Sequence, residues 1–262
     1  MVQEYFKIDF YQKVAQGYID FILVVLKNFS KYRNTTKHII ISNFIAKSSG
    51  LLTSIFKLWE LGSIEDGWML YRCLTDRLFH LYSLNENNDF DIFEKWSFIK
   101  QYEMRNKAQS CQEIRYKLDD SYLKTKKEEK ERYNELKKMN ITWKRPDPEA
   151  IAKKMDLKFL YDYGYDIAST SIHPMATDGQ VEFDRLLYNN HKSEEPVLLS
   201  NSCLIANILT YNGLNASDLL WARVISDFLD EMRNSLKSGH DNFMTSLSKI
   251  MMNENIEFCK AK

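Results

Sequence analysis

Residues that interrupt helices are scarce along this chain. Only eight glycines and four prolines occur among 262 residues, whereas an average soluble protein has about 7% glycine and 5% proline. A sheet of many strands needs tight turns, and glycine and proline supply most of the conformations that turns require. With 44% hydrophobic residues, the chain can bury a sizeable core. The sequence therefore predicts an all-α fold, an antiparallel bundle of long helices joined by short loops.

Helical periodicity places the main elements in a single domain of residues 1–262. Apolar residues recur at helical spacing in residues 4–29, 38–61 and 63–84, and Gly62 stands where a helix stop is expected. Residues 89–139 are predicted to form one long helix or two in line, and their charged end, KTKKEEKERYNELKK, to form a solvated face. Within the domain, residues 114–146 are predicted to be a charged helical arm and linker, and a hairpin arm is an open alternative for the charged section.

The second half of the chain is also predicted to be helical. In the linker WKRPDPEA, Asp147 is expected to cap a short helix that begins with Pro148. A helix is predicted over residues 157–173, then a loop-like segment with at most a trace of strand near Val181 to Leu187, and later a helix that Asp218 begins.

Charge and cysteine spacing exclude several classes of function. Thirty-six basic residues balance thirty-six acidic ones, so the whole chain lacks the basic excess of most nucleic-acid binders, although a local basic patch remains open. The four cysteines form no C-x-x-C pair, which disfavours structural zinc and a disulfide framework. No glycine-rich phosphate loop or zinc motif is present. We therefore expect no cofactor and no metal.

Apolar segments indicate a soluble protein. No basic region precedes an apolar stretch in MVQEYFKIDF, so we expect no signal peptide. The most apolar segment, YIDFILVVL, is shorter than the ~20 residues that a membrane span needs, and we interpret it as a core helix. The expected location is the cytoplasm.

A polar stripe marks the segment YDYGYDIASTSIHP. At about 100° per residue, Asp162, Asp166, Ser169 and His173 would fall on one side of an α-helix. A solvated face explains such a stripe, but serine, threonine and aspartate are poor helix formers compared with glutamate and lysine. The opposite face is predicted to be apolar and to include Tyr163.

A second constellation lies in the third helix, where Arg72, Asp76 and His80 are spaced four residues apart. Such spacing is typical of exposed ion pairs worth about 0.3–0.5 kcal/mol. The neighbouring residues are strongly apolar, however, which favours contact of Arg72 with a partner across the bundle. We expect that partner to include His173.

These two segments resemble a family of uncharacterised helical bacterial proteins. LYRCLTDRLFHLYSL is similar to the Arg-x3-acid helix of that family, at Arg72 and Asp76. YDIASTSIHP is similar to its Tyr-x3-Ser-x3-His segment, at Tyr165, Ser169 and His173. The resemblance covers roughly residues 40 to 180 and implies that these five residues cluster.

The family is in turn distantly similar to the HEPN superfamily of helical bundles, which includes metal-independent ribonucleases of toxin and antiphage systems. That similarity implies RNA as substrate, a homodimer with a shared site, and a partner protein encoded nearby. HEPN enzymes carry an arginine and a histidine separated by four to six residues, but here Asp166 stands where the arginine before His173 would be.

The required spacing does occur at three places: at Arg33 and His38, at Arg185 and His191, and at Arg233 and His240. Arg33 and His38 form the competing candidate pair. Two functions therefore remain open. The chain is a HEPN-like metal-independent endoribonuclease or effector, or it is a non-catalytic helical module that binds a partner protein or an anionic ligand.

Overall fold

The structure is a computed structural model that describes residues 6–111, 113, 124–170, 179–188, 196–252 and 259–260. In this part of the chain the fold is all-α, as predicted. Its helices are α1 Ile8–Phe29, α2 Thr36–Glu60, α3 Ile64–Asn87, α4 Phe90–Ser110, α5 Lys127–Lys138, α6 Pro148–Lys154, α7 (residues 158–170), α8 Gln180–Tyr188, α9 Pro196–Ala216, α10 Arg223–Ser238 and α11 Phe243–Met252. A 3-10 turn follows α1, and two short strands, β1 Leu219–Leu220 and β2 Cys259–Lys260, pair antiparallel.

Two of the predicted helix boundaries are confirmed. After α2, Gly62 has a φ of +77°, its N–H bonds to the Trp59 carbonyl, and the Ser63 N–H bonds to the Leu58 carbonyl. This is the Schellman arrangement, in which glycine tolerates the left-handed conformation. At α6, the Asp147 carboxylate accepts the Glu149 N–H at 3.1 Å, with proline in the first turn.

The loop-like segment predicted around Val181 to Leu187 is wrong, because Gln180–Tyr188 forms α8. Gln180 donates to the carboxylate of Asp184 at 3.1 Å, a contact across one helical turn. Gly179, with a φ of +78°, precedes the helix.

The predicted start of the penultimate helix is also wrong. Asp218 does not begin it, since Asp218 has a left-handed φ of 57° and β1 follows. The helix, α10, begins at Arg223.

The chain divides into two compact units, one of residues 1–83 with 146–262 and one of residues 84–145. In the first unit, α1, α2 and α9 pack against one another, α10 packs on α9, and α11 packs on α1. The apolar segment YIDFILVVL lies in this core, as predicted, with Phe21 and Val25 fully buried.

A polar cluster ties the three central helices together. The hydroxyl of Tyr18 on α1 lies 2.7 Å from Ser48 Oγ on α2 and 2.7 Å from Thr210 Oγ1 on α9. Burial raises the pKa of Tyr18 to about 12. Because buried hydroxyls must find partners, this cluster fixes how the three helices are aligned along their axes.

Two of the described helices, α2 and α9, are long and apolar enough to cross a membrane. Their most apolar windows are 50% and 72% buried inside the protein. Core helices pass the same test, so length and composition here are weak evidence of a membrane span.

The second unit contains α4 and α5, which form an antiparallel hairpin. Tyr102 stacks on Tyr133 with ring centroids 4.3 Å apart. Arg105 and Glu129 form a two-pronged ion pair, with N–O distances of 3.0 and 3.3 Å. The described residues therefore follow the alternative of a hairpin and not that of one helix or two in line. Some of the charges interpreted as a solvated face pair across the hairpin instead.

Candidate functional site

Helix α3 supplies one side of the candidate site. Its residues Arg72, Asp76 and His80 are half-buried and succeed one another at intervals of one turn. His80 Nδ1 lies 2.6 Å from the backbone carbonyl of Asp76. The intervening apolar residues, such as Leu74 and Leu78, are fully buried. The polar side of α3 is therefore held at the edge of the core and does not point freely into water.

Helix α7 supplies the other side and is not a regular α-helix. It begins as an α-helix at Lys158–Leu160, becomes a π-helix at Tyr161–Asp166, and returns to an α-helix at Ile167–Thr170. Single π-helical turns inside α-helices are rare and frequently lie at functional sites.

Gly164 allows α7 to approach α3 closely. A Cβ atom at Gly164 would lie 2.5 Å from Tyr71 Cε1 and 2.9 Å from Tyr71 Oη. Tyr71 is fully buried, and its hydroxyl donates to the Leu160 carbonyl at 3.2 Å. Only glycine leaves room for this ring, which binds a carbonyl at the start of the π-helical turn.

Tyr165 is the centre of the cluster that results. Its hydroxyl donates to the Asp76 carboxylate at 2.8 Å, and the Arg72 guanidinium carbon lies 4.9 Å from the centre of its ring. Tyr161 stacks on the same ring at 5.3 Å. Ser169 donates to the Tyr165 carbonyl at 2.9 Å. The structure thus brings together Arg72, Asp76, Tyr165 and Ser169.

Tyr165 keeps its proton in this position. Burial, followed by the hydrogen bond to Asp76, raises its pKa to about 12, although Arg72 acts in the opposite direction. At neutral pH the hydroxyl is therefore a hydrogen-bond donor and not a base.

The predicted polar stripe does not act as one face. Asp162 forms an ion pair with Lys158 at 2.7 Å, and Asp166 is exposed. Tyr163, predicted to lie on the apolar face, is 58% exposed, because the π-helical turn shifts the side chains relative to regular α-helical spacing. His173 lies outside the described residues.

Arg33 and His38, the competing pair, take part in separate contacts. Arg33 donates from Nε to Ser42 Oγ at 2.9 Å and from its guanidinium to Asn43. His38 places Nδ1 2.7 Å from the Tyr32 carbonyl and Nε2 2.8 Å from the Ser217 carbonyl. These contacts join the loop before α2 to the segment after α9.

Sequence reasoning missed Tyr71, Tyr161 and Gly164 as parts of this site. The only signal was the glycine in the middle of YDYGYD, since an isolated glycine in a helical pattern often marks a close approach. In the part of the chain described by the structure, no group of three or more His, Cys, Asp or Glu side chains is placed to hold a metal ion.

Comparison with known protein families identifies a match over more than half of the chain. The model of a family of unknown function matches residues 38–184, a range that includes both α3 and α7. No curated protein and no solved structure matches.

Proposed function

Because the chain belongs to that family of unknown function, DUF5677, we propose a function from the site itself, that of a metal-independent endoribonuclease or effector with HEPN-like chemistry. It would act in the cytoplasm as a homodimer, within a toxin or antiphage defence system. The observation that carries this proposal is the Arg72–Tyr165–Asp76 cluster beside a π-helical turn.

Arg72 is suited to hold a phosphate. A guanidinium can bind a phosphate through two parallel N–H bonds and stabilise the charge that develops during phosphodiester cleavage. Arg72 is half-buried, so its charge is less screened than that of an exposed arginine. The flat ring of Tyr165 lies against the guanidinium and limits the orientations that it can adopt.

Proton transfer needs a second group. Tyr165 remains protonated at neutral pH, so it can donate to a phosphate oxygen but cannot take the proton from the attacking 2′-hydroxyl. The sequence offers His173 to take that proton and to return it to the 5′-oxygen as the P–O5′ bond breaks, since histidine titrates near neutral pH. Asp76 accepts the Tyr165 hydrogen bond and would orient the phenol.

The geometry of the competing pair gives it less support. Both ring nitrogens of His38 face backbone carbonyls, and Arg33 donates to two side chains of α2. These are the contacts of a residue pair that fixes a loop. We therefore assign the phosphate to Arg72.

Cleavage of RNA by the purified protein tests the proposal. We expect cleavage to persist in EDTA and to leave a cyclic phosphate or a 3′-phosphate. His173→Ala should abolish it, and Arg72→Lys should reduce it strongly, because lysine lacks the two-pronged geometry. Arg77→Lys is the matched control, since Arg77 is on the same helix and donates to the Cys73 carbonyl.

Two outcomes would reject this assignment. Cleavage by the His173→Ala protein, with the His38→Ala protein inactive, would move the site to Arg33 and His38. Absence of cleavage by wild-type protein, alone or with the products of neighbouring genes, would favour the binding module.

One observation favours that second candidate, a non-catalytic module that binds a partner protein. On α7, Phe159, Tyr163 and Ile167 are 54%, 58% and 48% exposed and succeed one another every four residues. Apolar side chains aligned in this way are typical of protein-binding surfaces.

A further inference from the structure

The hairpin of α4 and α5 contains a cavity of about 320 Å³. It lies between the middle of α4 and the end of α5, and the non-helical segment that follows α5, here called the closing segment, lines its remaining side. Its volume is near the lower end of the range of about 300–1,000 Å³ that is usual for small-molecule sites. A cavity of this size suits a single flat ring system with a short polar extension.

Aromatic rings form one wall of this cavity. Trp96 of α4 and Trp143 of the closing segment both line it, with ring centroids 5.1 Å apart and planes inclined at 51°. Phe93 supports Trp143 from within the hairpin at 4.8 Å. Both tryptophans are only half-buried. They therefore offer aromatic surface on which a nucleobase can stack.

Basic residues form the rim. Lys100 and Lys137 line the cavity from the two helices, and Glu103 contacts both, at 3.6 Å from the Lys100 Nζ and 2.6 Å from the Lys137 Nζ. The hydrogen bond from Lys137, with the charge of both lysines, lowers the pKa of Glu103. Two ammonium groups and one carboxylate leave a single positive charge at the rim.

The closing segment adds to this charge. Residues 139–145, MNITWKR, contain two basic residues, Lys144 and Arg145, and no acidic residue, although the whole chain has no net charge. A basic segment with an aromatic ring inside it is the pattern of surfaces that bind single-stranded nucleic acid. The local basic patch that the overall composition left open lies here.

From these features we propose that the cavity binds an unpaired base of single-stranded RNA, with the base against Trp96 and Trp143 and its phosphate at Lys100 and Lys137. The choice of RNA rests on the proposed function, which needs a way to hold its substrate. Bases inside an A-form duplex are stacked on one another and are not available to such a cavity.

Binding of a labelled single-stranded oligodeoxynucleotide to the full-length protein tests the inference, with fluorescence anisotropy as the readout. Such a strand lacks the 2′-hydroxyl and cannot undergo the proposed cleavage, so binding is measured without catalysis. We expect it to bind more tightly than a duplex of the same length. Trp143→Ala should weaken binding by about 5- to 150-fold, the range for loss of one stacked base.

Lys100→Gln provides a variant that keeps the aromatic packing intact. The plot of log K against log salt concentration has a negative slope, and this substitution should make it shallower by about 0.7, the value for one phosphate contact with a single strand. Lys107→Gln is the matched control, because it makes the same change on an exposed residue of α4 outside the cavity. Its slope should equal that of the wild type.

Several results would overturn the inference. The first is that the wild-type protein does not bind the single strand at low salt. The second is that the salt slopes of the Lys100→Gln and Lys107→Gln proteins are equal. The third is that the wild-type protein binds the duplex more tightly than the single strand. Cavity-dependent binding without any RNA cleavage would retain the binding site and reject the ribonuclease. Cleavage with unchanged binding by the Lys100→Gln and Trp143→Ala proteins would reject the binding site alone.

Discussion

Replacing Gly164 by alanine should destabilise the protein, although alanine is the better helix former. The new Cβ would lie 2.5 Å from Cε1 of Tyr71 and 2.9 Å from its hydroxyl oxygen. Because Tyr71 is fully buried and bonds the Leu160 carbonyl, its ring cannot move away without losing that bond or displacing neighbours.

The size of the effect follows from three terms. Overpacking of a core costs about 1–3 kcal/mol, and loss of the Tyr71 hydrogen bond costs about 1 kcal/mol. The gain in helix propensity from glycine to alanine is about 0.5–1 kcal/mol. We therefore expect Gly164→Ala to lower the free energy of unfolding by about 1–3 kcal/mol.

Gly50→Ala is the matched control within the same chain. Gly50 is exposed in the interior of α2, and a Cβ atom there would meet nothing within 4 Å. The same substitution should therefore stabilise the protein by about 0.5–1 kcal/mol. Denaturant unfolding followed by far-ultraviolet circular dichroism would measure two changes of opposite sign.

A double-mutant cycle identifies the cause. Leucine at position 71 lacks the outer ring atoms, so Gly164→Ala should cost less in a Tyr71→Leu background than in the wild type. The reasoning is refuted if Gly164→Ala stabilises the protein as Gly50→Ala does. It is also refuted if the two changes add to within about 0.3–0.5 kcal/mol, the limit for independent sites.

Two further predictions concern the buried tyrosines. Tyr18→Phe should lower the free energy of unfolding by about 1–3 kcal/mol, because it leaves Thr210 without its 2.7 Å partner. As the control, Tyr163→Phe alters a ring that is 58% exposed and should change the free energy of unfolding by less than about 0.5 kcal/mol. Equal effects of the two substitutions would contradict the role of the buried cluster. Burial raises the pKa of folded Tyr18 and Tyr165 to about 12, whereas unfolded tyrosine ionises near its ordinary pKa of 10.0. The stability that these two residues contribute should therefore be fully present below pH 10 and should fall as the pH rises towards 12. The fall is at most about 1.4 kcal/mol per pH unit for each residue, and unfolding curves at several alkaline pH values should show a shallower fall for Tyr18→Phe; an unchanged slope would contradict the raised pKa.

Local chemistry made part of the fold predictable. Gly62 and Asp147 mark helix ends because a left-handed turn and an N-cap depend on residues within one turn of themselves. The all-α class followed in the same way, from the scarcity of residues that interrupt helices. Such features require no knowledge of distant contacts.

Distant contacts explain what could not be predicted. The side chains of α7 depart from regular spacing, and its Gly164 packs against Tyr71, which lies more than ninety residues earlier in the chain. The charges of α5 looked solvated because their partners, such as Glu103 for Lys137, belong to α4. Only the resemblance to a family indicated that Arg72 and Asp76 lie beside Tyr165; periodicity in either helix did not.

The π-helical turn makes chain length in α7 as important as residue identity. A π-helix closes each hydrogen bond over one residue more than an α-helix does. Loss of a single residue from Tyr161–Asp166 would let this turn close as a regular α-helical turn, which keeps the orientation of the helix on either side but changes which side chains within the turn face α3. Within the family, we therefore expect this short segment to be one residue shorter in members whose corresponding helix is regular.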